Sequence, residues 1–298
     1  MFTLSLPQAL ALASLATTLT SAAPCNGFDS LCNRSYSNIT FMGTHDSAMT
    51  GDHTNPFINQ ELSLADQLGL GIRFLQAQTH MPAGTLEMCH TTCIPEVSDK
   101  GPLSDYLSTV KTFLDANPNE VVTLLLTNGD YVGVGNFSNV FKSVGLDTYA
   151  YVPPSEPLPK GDWPTLGSLI SDNKRLVVFL DYDADINVAP YILDEFAYFF
   201  ETPYDVTDSN FPNCNIDRPS GASADGRLYL VNHYLDNDIF GIDIPAYDDA
   251  GTTNGGDSVN KNVAECFNLY GVNPNVILVD WVNKGDIINI GKALNGLS

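Results

Sequence analysis

Short apolar runs alternate with amphipathic segments along the chain from about residue 38 onward. The apolar runs have the length of buried strands and the segments between them have helical spacing, which is typical of repeated β-α units that form a parallel sheet. The predicted strands are 39–44, 72–78, 121–127, 175–181, 227–233 and 275–281. The predicted helices are Leu62–Leu68, Leu103–Leu114, Phe137–Val144, Ala189–Phe199, Asn260–Leu269 and Ile287–Leu294.

These strands are fewer than a closed barrel needs. Either weaker candidates at 86–89 and 203–206 complete the set, or the barrel is distorted and lacks a helix or two. We predict an α/β fold, a single-domain (β/α) TIM-type barrel, with an open doubly wound sheet as the alternative. The Pro-rich segment 153–164 and the Gly/Asp/Asn-rich segment 245–258 are predicted to be surface loops rather than domain linkers.

The first residues of the chain have the pattern of a secretory signal peptide. They contain no charged side chain, run through the apolar stretch 10–16, and end in Ser21-Ala22-Ala23 before Pro24. We therefore predict a signal peptide at 1–23, a barrel domain at 24–298 and a secreted, extracellular protein.

The cysteines and glycosylation signals agree with export. The chain has 6 cysteines, and their local spacing suggests the pairs Cys25–Cys32, Cys89–Cys93 and Cys214–Cys266, although sequence alone does not fix connectivity. The sequons begin at Asn33, Asn38 and Asn136.

A large negative charge excludes some partners. The 35 acidic and 13 basic residues give a formal net charge of −22 at pH 7, which opposes attraction to nucleic acid and to anionic lipid surfaces. We expect a monomer that binds no nucleic acid and makes at most transient contact with a membrane.

Two histidines stand out because of where they occur. His45 follows the first predicted strand directly, at the end where barrel enzymes place their catalytic groups, and His90 lies between Cys89 and Cys93, whose bridge would fix its imidazole. Taken singly, each has a structural explanation: a histidine after a strand often stabilises a turn, and a disulfide can enclose an uninvolved histidine.

The two segments and the residues that link them closely resemble the catalytic X region of phosphatidylinositol-specific phospholipases C. The resemblance covers 38–131. It is carried by a Thr-His-Asp-Ser segment after the first strand, a Gln-Leu-x-x-Gly-Ile-Arg segment before the second, and an Asn-Pro-x-Glu turn before the third: 44–47, 67–73 and 117–120. It is nearest to secreted fungal members of that family.

The resemblance implies a metal-independent phosphoric diester hydrolase without a cofactor, acting on a phospholipid or inositol phosphodiester. It implies that His45 is the general base and His90 the general acid, with Asp46 paired with His90 or with the phosphate, and Asp280 orienting His45. The role of Asp280 has separate support, because the last strand of a closed barrel lies beside the first and both residues follow such strands.

The chain departs from the family where charge is expected. Gln76 and Gln78 stand on strand two, where metal-dependent relatives carry acidic calcium ligands and bacterial relatives carry an arginine at the position of Gln78; Asp181 stands near a second family arginine. By strand position, the residues predicted to contact the substrate are Gln76, Gln78, Asn128, Asp181 and Asn232.

Two other hypotheses stay open. The missing positive charge suggests a catalytically weak or inactive barrel that binds a polyol or sugar. A metallohydrolase built from His45, Asp46, His80 and His90 is a weaker alternative, because no metal-binding spacing accompanies these residues.

Overall fold

The computed structural model describes residues 23–297. The predicted signal peptide therefore lies, except for its last residue, outside the described residues. Within 23–297, no helix is both long and apolar enough to cross a membrane.

A single curled parallel sheet organises the chain. Its eight strands follow the order β7-β6-β5-β2-β1-β12-β9-β8, and each adjacent pair is parallel. Among the described residues β7 and β8 do not pair, so the barrel stays open on that side. The strands are β1 Phe41–Thr44, β2 Phe74–His80, β3 Glu87–Cys89, β4 Asp99–Pro102, β5 Val122–Asn128, β6 Leu176–Leu180, β7 Ile192–Asp194, β8 Phe199–Glu201, β9 Leu228–Asn232, β10 Asp236–Asp238, β11 Asp243–Pro245 and β12 Val276–Val279.

Helices connect most of these strands. Capping explains where α2 lies: the Ser63 side chain accepts a hydrogen bond from the Asp66 backbone, and Gly71, at a φ of 112°, ends the helix in the left-handed conformation that glycine favours. The helices are α1 Asp29–Cys32, α2 Leu64–Leu70, α3 Leu103–Ala116, α4 Gly135–Val144, α5 Leu166–Ser171, α6 Glu195–Tyr198, α7 Ala250–Thr253, α8 Gly256–Tyr270 and α9 Ile287–Leu294.

The predicted TIM-type architecture is confirmed, and three local predictions are corrected. The predicted helix Ala189–Phe199 is wrong, because this segment contains β7, the short α6 and the start of β8. The candidate strand at 203–206 is also wrong: the eighth barrel strand is β8, and Val206 forms only an isolated bridge with Leu235. The candidate at 86–89 is a strand, but it pairs antiparallel to β2 and lies outside the barrel order.

The two faces of the sheet bury two apolar layers. On β5, Leu124 and Leu126 pack with the residues of α3 and α4, whereas Leu125 points to the interior with Phe74 and Phe179. The interior aromatic rings meet edge to face, with centroids 5.0 Å apart for Phe179 and Phe199. This packing fills the amino-terminal part of the barrel and leaves the carboxyl ends of the strands for polar side chains.

The predicted disulfides are confirmed. Cys25–Cys32, Cys89–Cys93 and Cys214–Cys266 are all bonded, and residues 23–297 contain no free cysteine. The sequon residues Asn33 and Asn38 are exposed.

The packing of β1 gives a first prediction. A Cβ at Gly43 would lie 2.7 Å from Leu278 Cδ2 and 3.2 Å from the Phe74 carbonyl oxygen. We expect Gly43→Ala to lower the free energy of unfolding, measured by denaturant titration, by about 1–3 kcal/mol, because overpacking strains a filled interior. The control is Gly69→Ala, at an exposed position of α2 where a Cβ meets nothing within 4 Å. This substitution should leave the free energy of unfolding unchanged or raise it. Equal destabilisation by both would contradict this account of β1.

Candidate active site

A polar cavity of about 410 Å³ opens at the carboxyl ends of the barrel strands. His45, His90 and the predicted contact residues Gln76, Gln78, Asn128, Asp181 and Asn232 all line it. The structure therefore brings together side chains that are far apart in the chain, at the end of the barrel where (β/α)-barrel sites are found.

His45 is held from behind by the neighbouring strand. Thr44 and Val279, the last residues of β1 and β12, pair in parallel. The residues that follow them, His45 and Asp280, therefore lie side by side. His45 Nδ1 lies 2.9 Å from Asp280 Oδ1, and Asn59 Nδ2 donates to the other Asp280 oxygen at 3.0 Å. Because the carboxylate accepts, the Nδ1 atom of His45 carries a proton and Nε2 is directed to the cavity.

His90 is held in a similar way by a main-chain group. The Cys89–Cys93 bridge closes a tight loop around it, and its Nδ1 lies 3.0 Å from the Phe57 carbonyl oxygen. A carbonyl can only accept, so His90 Nδ1 is the protonated nitrogen and Nε2 is free for chemistry.

One carboxylate oxygen faces both imidazoles. Asp46 Oδ2 lies 3.7 Å from His45 Nε2 and 3.6 Å from His90 Nε2. The same oxygen accepts a 2.9 Å hydrogen bond from Gln78, and the Asp46 backbone N–H donates to Gln76 at 2.7 Å. The two glutamines thus position Asp46, and their predicted contact with the substrate stays a prediction.

The charges around His45 change its acidity. Burial lowers the pKa of its imidazole, but the negative charges of Asp46 and Asp280, the hydrogen bond to Asp280 and the charge of Asp236 outweigh this and raise the pKa to about 9. At neutral pH the His45 side chain is therefore mainly an imidazolium.

The remaining predicted contact residues also bond to the protein. Asp181 accepts from the backbone N–H groups of Asn128 and Tyr182 at 2.7 and 2.8 Å, yet burial raises its pKa to about 6. Asn128 and Asn232 each donate to backbone carbonyls, those of Val132, Tyr182 and Thr202. Asp181, Asn128 and Asn232 therefore line the cavity with side chains that are fixed by hydrogen bonds to the backbone.

Sequence reasoning missed several residues of the cavity. Arg218 lines it and is bound through two nitrogens to the buried Glu201, with Nε at 2.9 Å. Burial and the adjacent Glu201 hold the pKa of Glu195 well above its usual range. Tyr234 stacks on His45, with ring centroids 3.7 Å apart. Arg218 lies in an irregular loop and does not follow a strand, so the sequence pattern gave no reason to select it. Tyr234 comes two residues after Asn232 at the end of β9, and the alternation of side chains along a strand could have predicted that it faces the cavity.

Other histidines have structural roles. His80 pairs with Asp130 at 3.0 Å, and the buried His233 is bonded to Asn262 and to the Thr253 carbonyl. In the described part of the chain, no group of three or more His, Cys, Asp or Glu side chains is arranged to hold a metal ion. The metallohydrolase hypothesis therefore has no support from the geometry.

Comparisons with known proteins agree with this architecture. The family model described as PI-PLC X 1 matches residues 31–295. A relative from Arthroderma benhamiae, PI-PLC X domain-containing protein 1, is 48% identical over 296 residues, covering 95% of each chain. A second protein of that fungus, named an uncharacterized secreted protein, is 41% identical over 94% of this chain and 65% of its own length.

Two solved bacterial structures have a similar fold. The phosphatidylinositol-specific phospholipase C of Listeria monocytogenes is 18% identical, with a TM-score of 0.57 over 88% of this chain and 94% of that one. The F249X mutant of the Staphylococcus aureus enzyme is 13% identical, with a TM-score of 0.59 over 90% and 95%. At these identities the likeness shows the fold alone. Because the family model and a close relative both cover nearly the whole chain, this protein belongs to the PI-PLC X domain family.

Proposed function

We propose that this protein is a metal-independent phosphoric diester hydrolase that cleaves a phospholipid or inositol phosphodiester by acid–base catalysis between His45 and His90. The observation that carries the proposal is the convergence of the two Nε2 atoms on one oxygen of Asp46. In each ring the opposite nitrogen is fixed by an acceptor, so both reactive nitrogens face the same cavity.

His45 takes a proton from a substrate hydroxyl, and that hydroxyl oxygen attacks phosphorus. His90 gives a proton to the oxygen of the leaving alcohol as its bond to phosphorus breaks. Asp46 faces the Nε2 atom of His90 at 3.6 Å, and Asp280 stabilises the imidazolium that forms on His45. This first step forms a cyclic phosphodiester and leaves His45 protonated and His90 neutral. Water then attacks the phosphorus of the cyclic diester and gives a proton to His90, while His45 returns its proton to the ring oxygen whose bond to phosphorus breaks. Both imidazoles regain their starting states, and the overall reaction is hydrolysis.

The positive charge for the phosphate comes chiefly from the imidazoles. Arg218 is the guanidinium among the cavity-lining residues, but Glu201 already neutralises it. The polyol-binding alternative remains the second candidate, because amides and carboxylates that line the cavity suit hydroxyl groups. Product formation from a phosphodiester distinguishes the hydrolase from a protein that only binds a polyol.

Features outside the cavity support a secreted enzyme that touches membranes briefly. Disulfides persist in oxidising compartments, and the 41% identical relative is named a secreted protein. The β10–β11 hairpin, whose Asp236 and Asp243 line the cavity, exposes Ile239, Phe240 and Ile242 at its tip. Three apolar side chains suffice only for a transient contact with lipid. The monomeric state and the lack of nucleic-acid binding stay predictions.

The catalytic roles predict a loss of turnover. We expect His45→Ala and His90→Ala each to lower kcat by at least about a hundredfold, because each removes a proton-transfer group. The assay measures product release from phosphatidylinositol in mixed micelles and from soluble glycerophosphodiesters. The control His53→Ala changes a side chain that stacks on Tyr247 outside the cavity and should keep wild-type activity. Ligand binding without turnover in the wild type would favour the polyol-binding alternative.

The central carboxylate gives a second prediction. Asp46→Asn keeps the size of the side chain but removes the charge that faces both imidazoles, so we expect kcat to fall about tenfold or more while the fold persists. The measurement is kcat together with the far-ultraviolet circular dichroism spectrum. Unchanged kcat in Asp46→Asn would contradict the assigned role.

The raised pKa of His45 predicts an alkaline pH profile. The base must be neutral, and below its pKa of about 9 the fraction of neutral His45 falls about tenfold for each pH unit. The acid His90 must at the same time be protonated, so kcat/KM has two limbs, and we expect the limb that reports His45 to lie near pH ~9. Asp280→Asn removes a charge and a hydrogen bond that raise this pKa, and should shift that limb to lower pH.

The matched control is Asp130→Asn, which alters a histidine–aspartate pair of similar length at His80 outside the cavity. It should leave the pH profile of kcat/KM in place. A profile that Asp280→Asn does not move would show that His45 is not the titrating base.

A further inference from the structure

The cavity is lined by far more acidic than basic side chains. Its lining carboxyl groups belong to Asp181, Glu195, Glu201, Asp205, Asp236 and Asp243. Arg218, the guanidinium in this lining, already forms an ion pair with Glu201. A phosphodiester is itself an anion, so these charges would repel a ligand that carried no compensating positive group.

Three of these side chains, which we call the hairpin carboxylates, share the cavity lining with His45: Asp205, Asp236 and Asp243. Asp236 and Asp243 lie on β10 and β11, and the Asp236 backbone N–H donates to the Val206 carbonyl, which draws in the loop that holds Asp205. Partial burial, then the charge of Asp243, raises the pKa of Asp205. The three carboxyl groups are therefore near enough to repel one another.

Asp236 presents its carboxylate to the cavity without a protein partner. The residue as a whole is 7% exposed, but its carboxylate oxygens are not among the buried polar atoms that lack a hydrogen-bond partner, so they open onto the cavity that Asp236 lines. Within residues 23–297 no hydrogen-bond donor or cationic nitrogen of the protein contacts them, and burial and the nearby Asp280 raise the pKa of Asp236 to about 7. A carboxylate in this position is available to bind a donor or a cation of a ligand.

The geometry favours an organic cation over a metal ion. Among the described residues, the hairpin carboxylates do not form a group arranged to hold a metal ion. A protonated amine needs no fixed coordination number and can donate hydrogen bonds to several carboxylates at once. Asp236 and His45 line the same cavity, so an amine bound by Asp236 lies in the same cavity as the reacting phosphate.

We propose that the hairpin carboxylates bind a protonated amine of the substrate, so that the preferred substrate is a zwitterionic phosphodiester of an amino alcohol, with a hydroxyl group next to the phosphate. The proposal rests on the proposed function of the same cavity. It adds the substrate class: the ammonium group neutralises Asp236 and its neighbours while the phosphate meets His45 and His90.

The test compares two soluble diesters that differ in the group concerned, glycerophosphoethanolamine and glycerophosphoglycerol. At pH 8, above the raised pKa of Asp236, and with EDTA present, the wild type should show at least about tenfold higher kcat/KM for the ethanolamine compound, the gain expected from a charge-assisted hydrogen bond. Asp236→Asn should reduce that ratio to about one, and Asp205→Asn should lower it in part.

The matched control is Asp238→Asn, on the same strand but exposed and outside the cavity lining. Its side chain accepts from the Gly241 backbone, a bond that asparagine can keep, so the ratio should stay at the wild-type value. Equal kcat/KM for the two diesters in the wild type, or a preference that survives in Asp236→Asn, would overturn the proposal.

A binding measurement separates this proposal from the proposed function. Both diesters are titrated calorimetrically into the His90→Ala variant, which keeps the hairpin carboxylates. The Kd for glycerophosphoethanolamine should be about tenfold lower than the Kd for glycerophosphoglycerol. If the wild type cleaves neither diester, the hydrolase proposal fails, and this Kd ratio still decides the amine site. A ratio near one rejects the amine site whether or not turnover occurs.

Discussion

The adjacency of the first and last barrel strands is the constraint on which the site depends. Parallel pairing of β1 with β12 brings residues 235 positions apart into one hydrogen bond, between His45 and Asp280. The hydrogen bond between His45 and Asp280 forms where β1 and β12 end, so it depends on the register in which these two strands pair. The packed interior beneath it, with Gly43 pressed against Leu278, fixes that register.

Asp46 connects this pair to the rest of the cavity. Its carboxylate faces both histidines, and Gln78 joins it to the loop of His90 by also accepting from the Thr91 backbone. Gln78 is thus a neutral amide that orders Asp46 and the loop of His90, at a position where the resemblance to the family implied an arginine. The cavity lining has more acidic than basic side chains, and the proposed amine site would give these acids a cation to bind.

Much of the fold followed from periodicity. The six predicted parallel strands and α9 were found because long apolar runs and amphipathic turns repeat regularly. The error at 189–199 has a physical cause: β7, α6 and β8 are each only three or four residues long, and two short buried strands around one helical turn have the same apolar content as one amphipathic helix. Short strands of this kind are stabilised by their neighbours in the sheet, not by local preference.

The sequence by itself determined the α/β repeat and the position of His45 at a strand end, and it suggested the disulfide pairs without fixing their connectivity. These are local properties, set by side-chain period and by short separations along the chain. Only the tertiary structure decided the ion pair of Arg218 with Glu201, the stacking of Tyr234 on His45, and the carboxylate of Asp236 that meets no protein donor within residues 23–297. These features involve residues that are brought together only by the folded barrel, so periodicity along the chain gives no signal for them.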